Sequence, residues 1–273
     1  MKSASLVRHI SFYLVATLVV APFVLPLVWM ISSSLRLPGL PPPRTIEWLP
    51  QPLAWENYQR IFQWLPLGRY LLNSLFLASV AVIITLLVAS WAGFGMAQQG
   101  SQVRRLLLTL SIGLLIMPLT AVWLARFMLF DSLGWIDTYL PLLAPALMGS
   151  NPFFILLFYW AFRRVPPELY EVARLDGAGP LTAWWRVGVP LVRPTIAAVA
   201  VLTFILYWND FINPLIYLKS QRLYTLAVGL QQLQQLDRTN WPLLLAAAVV
   251  MTLPVIVLFL LIQRYLLQQN PIG

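Results

Sequence analysis

Residues 165–190 read VPPELYEVARLDGAGPLTAWWRVGVP and form a polar interruption between two long apolar runs. Paired prolines open this stretch, and proline is tolerated at the first position of a helix although it ends a preceding one. Gly177 can adopt the left-handed conformation that commonly ends a helix, and Pro180 can begin the next helix. The stretch therefore predicts two short helices joined by a tight turn.

The first of these two helices is predicted to have a charged start and one apolar face. We place Glu168 and Glu171 in its first turn, where carboxylates interact favourably with the positive end of the helix dipole. Leu169, Val172 and Ala173 recur at helical spacing on one side. These residues alone fit both a unit that contacts a protein partner and an amphipathic helix lying on a bilayer surface.

The composition of the chain is that of an integral membrane protein. Of its 273 residues, 60% are hydrophobic and only 10% are charged, and the mean hydropathy is +0.77. A soluble domain carries about 25% charged residues. The net charge of +9 is spread between apolar runs and forms no dense patch, so it indicates membrane orientation rather than nucleic-acid binding. There is no cysteine, which excludes disulfides.

Six apolar runs are long enough to cross a bilayer, so we expect an all-α membrane protein with one transmembrane domain over residues 1–273. The first run is too long for a signal peptide and is expected to be a retained helix, bent at Pro22 and Pro26. The third is expected to be broken at Pro118. The predicted spans are 10–31, 70–97, 106–130, 140–162, 195–218 and 241–267.

The arginines predict the orientation of these spans. An even number of spans places both termini on the same side. The short loops at Arg104-Arg105 and Arg163-Arg164 are dense in arginine, and such loops remain in the cytoplasm. Both termini and residues 165–190 are therefore predicted to be cytoplasmic, and the Pro- and Trp-rich loop 35–67 external. The expected location is the cell inner membrane.

The chain lacks the residues that common catalytic and nucleotide sites need. It has no G-x-x-x-x-G-K-[ST] motif, so no phosphate-binding loop of this type is predicted. No His/Cys/carboxylate cluster has metal-binding spacing, and His9 is the only histidine in the sequence. We therefore expect no catalysis, no metal and no cofactor on this chain. If ATP drives the protein, another subunit binds it.

Polar residues inside the spans are the candidates for a pathway. Asn209, Asp210 and Asn213 fall within the fifth predicted span, and Asn209 and Asn213 are four residues apart, so they would share a helix face. Pro214 removes the hydrogen bond to the carbonyl of Asp210 and loosens the helix there. Asn73 is a similar candidate near the start of the second span. An ionisable residue in a span is a functional candidate by default, and direct substrate contact and an interface between subunits both remain open.

The stretch that opens this section resembles a known motif. Glu171 and Ala173, then Gly177 after three residues, then Val187-x-Val189-Pro190 after nine, is similar to the EAA loop of ABC-importer permeases, E-A-A-x3-G-x9-I-x-L-P. The departures are apolar exchanges. In that family the loop docks into a cytoplasmic ATPase. The resemblance implies a coupling helix-turn-helix between spans 4 and 5, whose ATPase-coupling residues are Glu168, Glu171, Ala173, Asp176, Gly177 and Pro190.

A second motif is similar to the carbohydrate branch of these permeases. Trp208-Asn209-Asp210-Phe211 followed by Pro214-Leu215 resembles the segment W-N-[DE]-F-x-x-P-L. The resemblance implies a sugar-importer permease that pairs with a second permease, two cytoplasmic ATPases that hold ATP and Mg²⁺, and an external sugar-binding protein. Relatives often have a longer tail that reaches the ATPases, whereas only residues 268–273 follow the last span here.

Two other classes compete with this interpretation. An ion- or proton-coupled secondary transporter usually carries internal repeats and several ionisable residues in its spans, whereas Asp210 is the one acidic residue well inside a predicted span. A six-span intramembrane enzyme is opposed by the missing histidine, cysteine and metal sets. ATP-dependent, vanadate-sensitive uptake distinguishes the importer from the secondary transporter.

Overall fold

The computed structural model describes residues 2–39, 47–149, 151–237 and 239–267, and all regular secondary structure in these ranges is helical. The helices are α1 (Lys2–Ser34), α2 (Asn57–Trp64), α3 (Leu67–Gln98), α4 (Ser101–Ile116), α5 (Trp123–Ser132), α6 (Leu140–Leu147), α7 (Pro152–Arg163), α8 (Pro167–Leu175), α9 (Pro180–Leu191), α10 (Arg193–Trp208), α11 (Ile212–Tyr217), α12 (Leu226–Leu236) and α13 (Trp241–Leu267). The middle of α9, Ala183–Gly188, is π-helical.

Four stretches of the described chain are long and apolar enough to cross a membrane. They are Ser11–Ser34, Leu67–Gln98, Leu140–Arg163 and Trp241–Leu261. Two further pairs of helices pass the same test together but are bent by 85°, namely α4 with residues 120–132 and α9 with α10. The number of candidate spans is therefore four, or up to six if each bent pair is one span.

The third predicted span is divided more sharply than a proline kink would divide it. Helix α4 ends at Ile116, a short 3₁₀ turn follows Pro118, and α5 leaves at the 85° angle. Proline has no N–H to continue the helix and clashes with the preceding turn. Helix α4 begins at Ser101, five residues before the predicted start of this span at residue 106.

The fifth predicted span, 195–218, is not one helix, and this prediction was wrong. Helix α10 ends at Trp208, residues 209–211 are not helical, and α11 begins at Ile212. Pro214 cannot donate to the carbonyl of Asp210, and the Asp210 carboxylate accepts the backbone N–H of Asn213 at 3.2 Å instead. Asn209 and Asn213 consequently do not share the face of a continuous helix.

The chain divides into two compact units, the first of which contains residues 1–68 and 229–254. The loop that follows α1 is ordered around Asn57, a fully buried side chain whose Nδ2 donates to the carbonyls of Ser34 at 2.8 Å and Arg36 at 2.7 Å. Arg36 also forms an ion pair with Glu47 at 3.1 Å. Residues 40–46, which hold three of the prolines predicted to keep this loop from being a long helix, lie outside the described residues.

The second unit contains residues 69–228 and 255–273, and its main core is aromatic. The ring of Phe94 meets those of Phe162 and Tyr170 edge-on, at centroid distances of 5.4 and 5.6 Å. Each such ring pair contributes about 0.5–1.5 kcal/mol to stability, in addition to the contribution from burying its apolar surface. Phe94 is buried in this cluster. The core lies directly beneath α8 and α9.

Candidate functional site

Helix α8 ends in the turn that the sequence predicted. Gly177 has a φ of +79°, its N–H donates to the carbonyl of Arg174 at 3.0 Å, and the N–H of Ala178 donates to the carbonyl of Ala173 at 2.9 Å. These two bonds are those of a Schellman motif with glycine at its left-handed position. The turn fixes the direction in which α9 leaves.

The two glutamates of α8 lie in different turns. Pro167 is the first residue of the helix, so Glu168 lies in the first turn, as predicted. Glu171 lies in the second turn, and its placement in the first was wrong. The dipole interaction decreases within one turn, so Glu171 adds little to the stability of α8. Both side chains are exposed.

Tyr170 is the buried residue of α8 and joins it to the core. Gly188 of α9 lies against it, since a Cβ built on Gly188 would be 2.9 Å from Cε1 of Phe162 and 3.3 Å from the hydroxyl of Tyr170. Burial raises the pKa of Tyr170 to about 12, so its hydroxyl stays neutral at physiological pH. The two helices of residues 165–190 are thus packed as one unit.

The apolar face of α8 points outward and not into the core. The predicted stripe of Leu169 and Val172 is 43% and 57% exposed, because the inward position is taken by Tyr170. Three more large apolar side chains around the turn are exposed, and we call the five together the outward apolar surface: Leu169, Val172, Leu175, Leu181 and Trp185. Exposed apolar side chains clustered around one turn of the chain are candidates for an interaction site.

A polar contact connects this unit to the end of α3. The guanidinium Nη2 of Arg174 donates to Oε1 of Gln98 at 2.9 Å. The pair is exposed, so its net contribution to stability is small. Its effect is to tie the outer side of α8 to the last residue of α3.

A cavity of about 150 Å³ lies within the second unit, between residues of α3, α5, α6, α7 and the break after α10. Two of the four polar residues predicted for a pathway, Asp210 and Asn213, line it. Asn213 donates to the Asp210 carboxylate twice, from its backbone N–H at 3.2 Å and from Nδ2 at 2.8 Å. The other polar groups in its wall are Thr85, Arg126, Asn151 and Tyr207.

The remaining two predicted pathway residues make contacts elsewhere. Asn209 is exposed, and its Nδ2 donates to the carbonyl of Ile205 at 3.0 Å, at the end of α10. Asn73 uses Nδ2 to hold two carbonyls of a distant segment, those of Arg222 and Tyr224, at 2.9 Å each. The structure therefore brings together Asp210 and Asn213, but neither Asn209 nor Asn73 is in the cavity wall with them.

Arg126 is a cavity residue that the sequence interpretation missed. It lies in α5, half-buried, with its guanidinium 5.8 Å from the centroid of the Phe130 ring. It falls within the third predicted span, 106–130, and the sequence analysis gave it no role. Its position within the apolar run WLARFMLF, residues 123–130, could have identified it. A charged side chain in such a run is costly to bury and is therefore a functional candidate.

Asp137 is a second residue to which the sequence analysis assigned no role. It has a φ of +63°, which is uncommon for a residue other than glycine. Its carboxylate accepts the N–H groups of Lys219 at 2.9 Å and Ser220 at 2.7 Å, and also the Ser220 hydroxyl. These bonds, led by the one from the Ser220 hydroxyl, hold the pKa of Asp137 below its usual range.

The comparison with known protein families identifies the chain. Residues 86–269 match the family described as the binding-protein-dependent transport system inner membrane component, and this segment is more than half of the chain. The chain belongs to this family. It is accordingly a multi-pass inner-membrane permease, and a role in transport rather than catalysis follows from the family and its apolar helices.

Individual relatives cover nearly the whole permease. It is 30% identical over 258 residues to the arabinooligosaccharides transport system permease protein AraQ of Halalkalibacterium halodurans, covering 92% of this chain and 90% of that one. It is 28% identical over 252 residues to the sulfoquinovosyl glycerol transport system permease protein SmoH of Agrobacterium fabrum, covering 92% and 88%. A solved bacterial ABC transporter involved in the import of alginate superposes with a TM-score of 0.75 at 21% identity, covering 97% and 96%.

Proposed function

We propose that this permease forms half of the translocation pathway of an ATP-driven, binding-protein-dependent importer for a sugar or oligosaccharide. The sugar class is supported by its relatives, which include permeases for arabinooligosaccharides, for sulfoquinovosyl glycerol and for trehalose. The observation that carries the rest of the proposal is the outward apolar surface of α8 and α9, which the rest of the second unit leaves uncovered.

Residues 165–190 transmit the motion of an ATPase to the membrane in this proposal. Force transfer needs a unit that moves as one body, and the Schellman turn at Gly177 together with the close approach at Gly188 supplies that rigidity. The outward apolar surface enters a cleft of the ATPase, and the exposed carboxylates lie beside it. The proposed coupling residues are Glu168, Glu171, Ala173, Asp176, Gly177 and Pro190.

The proposed topology has six spans, with both termini and the coupling unit in the cytoplasm. This number is reached when the four long apolar stretches, the pair of α4 with residues 120–132, and α10 with the residues up to 218 each count as one span, so that α9 remains in the coupling unit. The paired arginines at 104–105 and 163–164 then flank cytoplasmic loops, in agreement with the positive-inside rule. Residues 35–67 lie outside the cell, where their tryptophans reach the bilayer interface.

The proposed assembly contains a second permease, two cytoplasmic ATPases and an external sugar-binding protein. One solved relative by fold, at 16% identity, is an alginate ABC transporter in complex with a pentasaccharide-bound periplasmic protein. In the proposed assembly ATP and Mg²⁺ bind to the ATPase subunits. The tail, residues 268–273, lies outside the described residues, and the coupling unit is the proposed contact with the ATPases.

Asp210 and Asn213 are the proposed pathway residues, either in contact with the substrate or at the interface between the two permeases. The break at residues 209–211 exposes backbone groups beside a membrane-embedded carboxylate, and non-helical backbone at this depth is tolerated where it lines a cavity. Asn209 and Asn73 stay in the proposal as residues of the same region, with Asn73 acting through the loop that it holds.

Reconstitution of the complete complex tests this function. Proteoliposomes that contain both permeases and the ATPases, with enclosed ATP and an external sugar-loaded binding protein, should accumulate sugar. Vanadate should abolish uptake and a protonophore should leave it unchanged. The reverse pattern, sensitivity to the protonophore without sensitivity to vanadate, would replace the importer with an ion-coupled secondary transporter.

A further inference from the structure

Arg126, the cation in the cavity wall, interacts electrostatically with Asp210 but has no hydrogen-bond acceptor among the residues that the structure describes. Within residues 2–39, 47–149, 151–237 and 239–267, Arg126 makes no hydrogen bond and has no carboxylate oxygen within 4.0 Å. Its guanidinium contacts the ring of Phe130 four residues later in α5, and the ring face restricts the orientation of the charge. The guanidinium carries five N–H donors, and none of them is hydrogen-bonded to the described chain, while Arg126 lines the cavity.

The carboxylate in the same wall is already occupied. Both oxygens of Asp210 accept hydrogen bonds from Asn213, one from the backbone N–H and one from Nδ2. Oδ1 of Asn213, in contrast, is buried and has no donor among the described residues. The cavity thus offers a ligand the cationic donors of Arg126.

An unpartnered guanidinium in a membrane-embedded cavity needs an acceptor, because charge is costly there. Its planar fork matches the geometry of a carboxylate, with which it can form two parallel hydrogen bonds. For an importer of sugars, the ligand that carries a carboxylate is an acidic sugar.

We infer that Arg126 is a specificity-determining residue that binds the carboxylate of an acidic sugar in this cavity. The inference rests on the proposed importer function and names its substrate class. With about 150 Å³, the cavity accommodates the acidic end of a ligand and not a whole oligosaccharide. Asp210 is bound by Asn213 in the same wall and does not compete for the ligand's hydrogen-bond donors.

The test measures direct binding to the assembled importer, with its partner permease and ATPases, in lipid nanodiscs without binding protein. Calorimetry compares the binding of two probes: a disaccharide that ends in glucuronate, and its neutral analogue that ends in glucose. We expect the acidic probe to bind about tenfold more tightly, as for one charge-assisted hydrogen-bond pair. Arg126→Gln should remove this preference, whereas Arg126→Lys should keep part of it.

The matched control is Arg69→Gln, because Arg69 is an exposed arginine of the same unit and does not line the cavity. This variant should keep the full preference. Equal affinities for the two probes, no saturable binding of the acidic probe, or a preference that survives Arg126→Gln would overturn the inference.

A purely structural role for Arg126, as a distant counter-charge to Asp210, gives a different result. Arg126→Gln would then lower the melting temperature, adding Asp210→Asn would restore it, and the probe preference would not change, which also overturns the inference. Stimulation of ATP hydrolysis by the sugar-loaded binding protein is measured on the same preparation. If it persists while the acid preference is absent, the acidic-sugar inference fails and the importer proposal stands.

Discussion

Gly93 of α3 packs directly on the backbone of Tyr159 in α7. A Cβ built on Gly93 would lie 2.8 Å from the Tyr159 nitrogen and 2.6 Å from the Cβ of Phe158. Distances this short leave no room for a side chain. Small residues at such crossings let membrane helices approach closely, where van der Waals contacts replace the hydrophobic effect. Because α7 leads into α8, this contact fixes the base of the coupling unit.

Gly93→Ala should therefore destabilise the second unit. The added methyl group meets backbone atoms that cannot rotate away, and overpacking of this kind costs about 1–3 kcal/mol. The matched control is Gly95→Ala in the same helix, where a Cβ would meet nothing within 4 Å. Melting temperatures of the detergent-purified variants should fall for Gly93→Ala and stay level or rise for Gly95→Ala. Equal melting temperatures would contradict the close crossing of α3 and α7.

Asp137 should hold the segment after α11 in a fixed conformation. Asp137→Ala removes three hydrogen bonds and leaves a Cβ at positive φ, so it should increase amide hydrogen exchange over residues 218–224. Asp137→Asn should have a smaller effect, because asparagine tolerates this conformation and retains an acceptor. Asp131→Asn, an exposed carboxylate of the preceding turn, serves as the control and should not alter exchange.

The same contact has a defined pH dependence. The hydrogen bonds lower the pKa of Asp137 in the folded protein, so its contribution is fully present above the unfolded value of about 3.9. The contribution is lost as the pH falls through the lower folded value. Exchange protection at residues 218–224 should thus be constant from neutral pH down to about 4. Loss of protection near pH 6 would show that a different group holds the segment.

The features that were predicted correctly depend on neighbouring residues in the chain. The left-handed turn at Gly177 and the break at Pro118 follow from backbone chemistry within a few residues. The break after Trp208 is also local. It depends on the Asp210 carboxylate accepting the backbone N–H of Asn213, which competes with the helical hydrogen bond. The spacing of apolar residues gives no information about this side-chain hydrogen bond.

Other features depend on residues that are far apart in sequence. The partner of Asp137 is Ser220, 83 residues away, so no local pattern could assign its role. Arg126 likewise becomes a cavity residue only when α5 is placed beside the break that contains Asp210. The outward direction of Leu169 and Val172 was not predictable either, because spacing identifies an apolar face and not the side on which the core lies.

Orientation can be tested with single cysteines, since the chain has none of its own. A cysteine at Gln102, an exposed position in the first turn of α4, should resist a membrane-impermeant thiol reagent added to intact cells. A cysteine at Gln235, an exposed position of α12, should react. Permeabilised cells provide the control, in which both positions should react. The opposite labelling in intact cells would invert the proposed topology.

The turn at Gly177 should be required for coupling because it directs α9. Gly177→Ala places a Cβ in the left-handed region, which costs about 1–2 kcal/mol. Gly179→Ala is the matched control, since Gly179 has negative φ and open space around it. We expect Gly177→Ala to reduce sugar uptake per ATP hydrolysed, and Gly179→Ala to leave this ratio unchanged. The same ratio in both variants would remove the turn from the coupling mechanism.

Glu171→Lys separates docking on an ATPase from attachment to lipid. Glu171 is exposed in the second turn of α8, so its replacement should leave the melting temperature of the isolated permease nearly unchanged. In a docking unit, a reversed charge beside the outward apolar surface should cause loss of the ATPases during copurification or hydrolysis without transport. In a helix lying on the bilayer, the added lysine would strengthen contact with anionic lipids and change neither assay. Wild-type ATPase retention and wild-type uptake would therefore refute the docking role of residues 165–190.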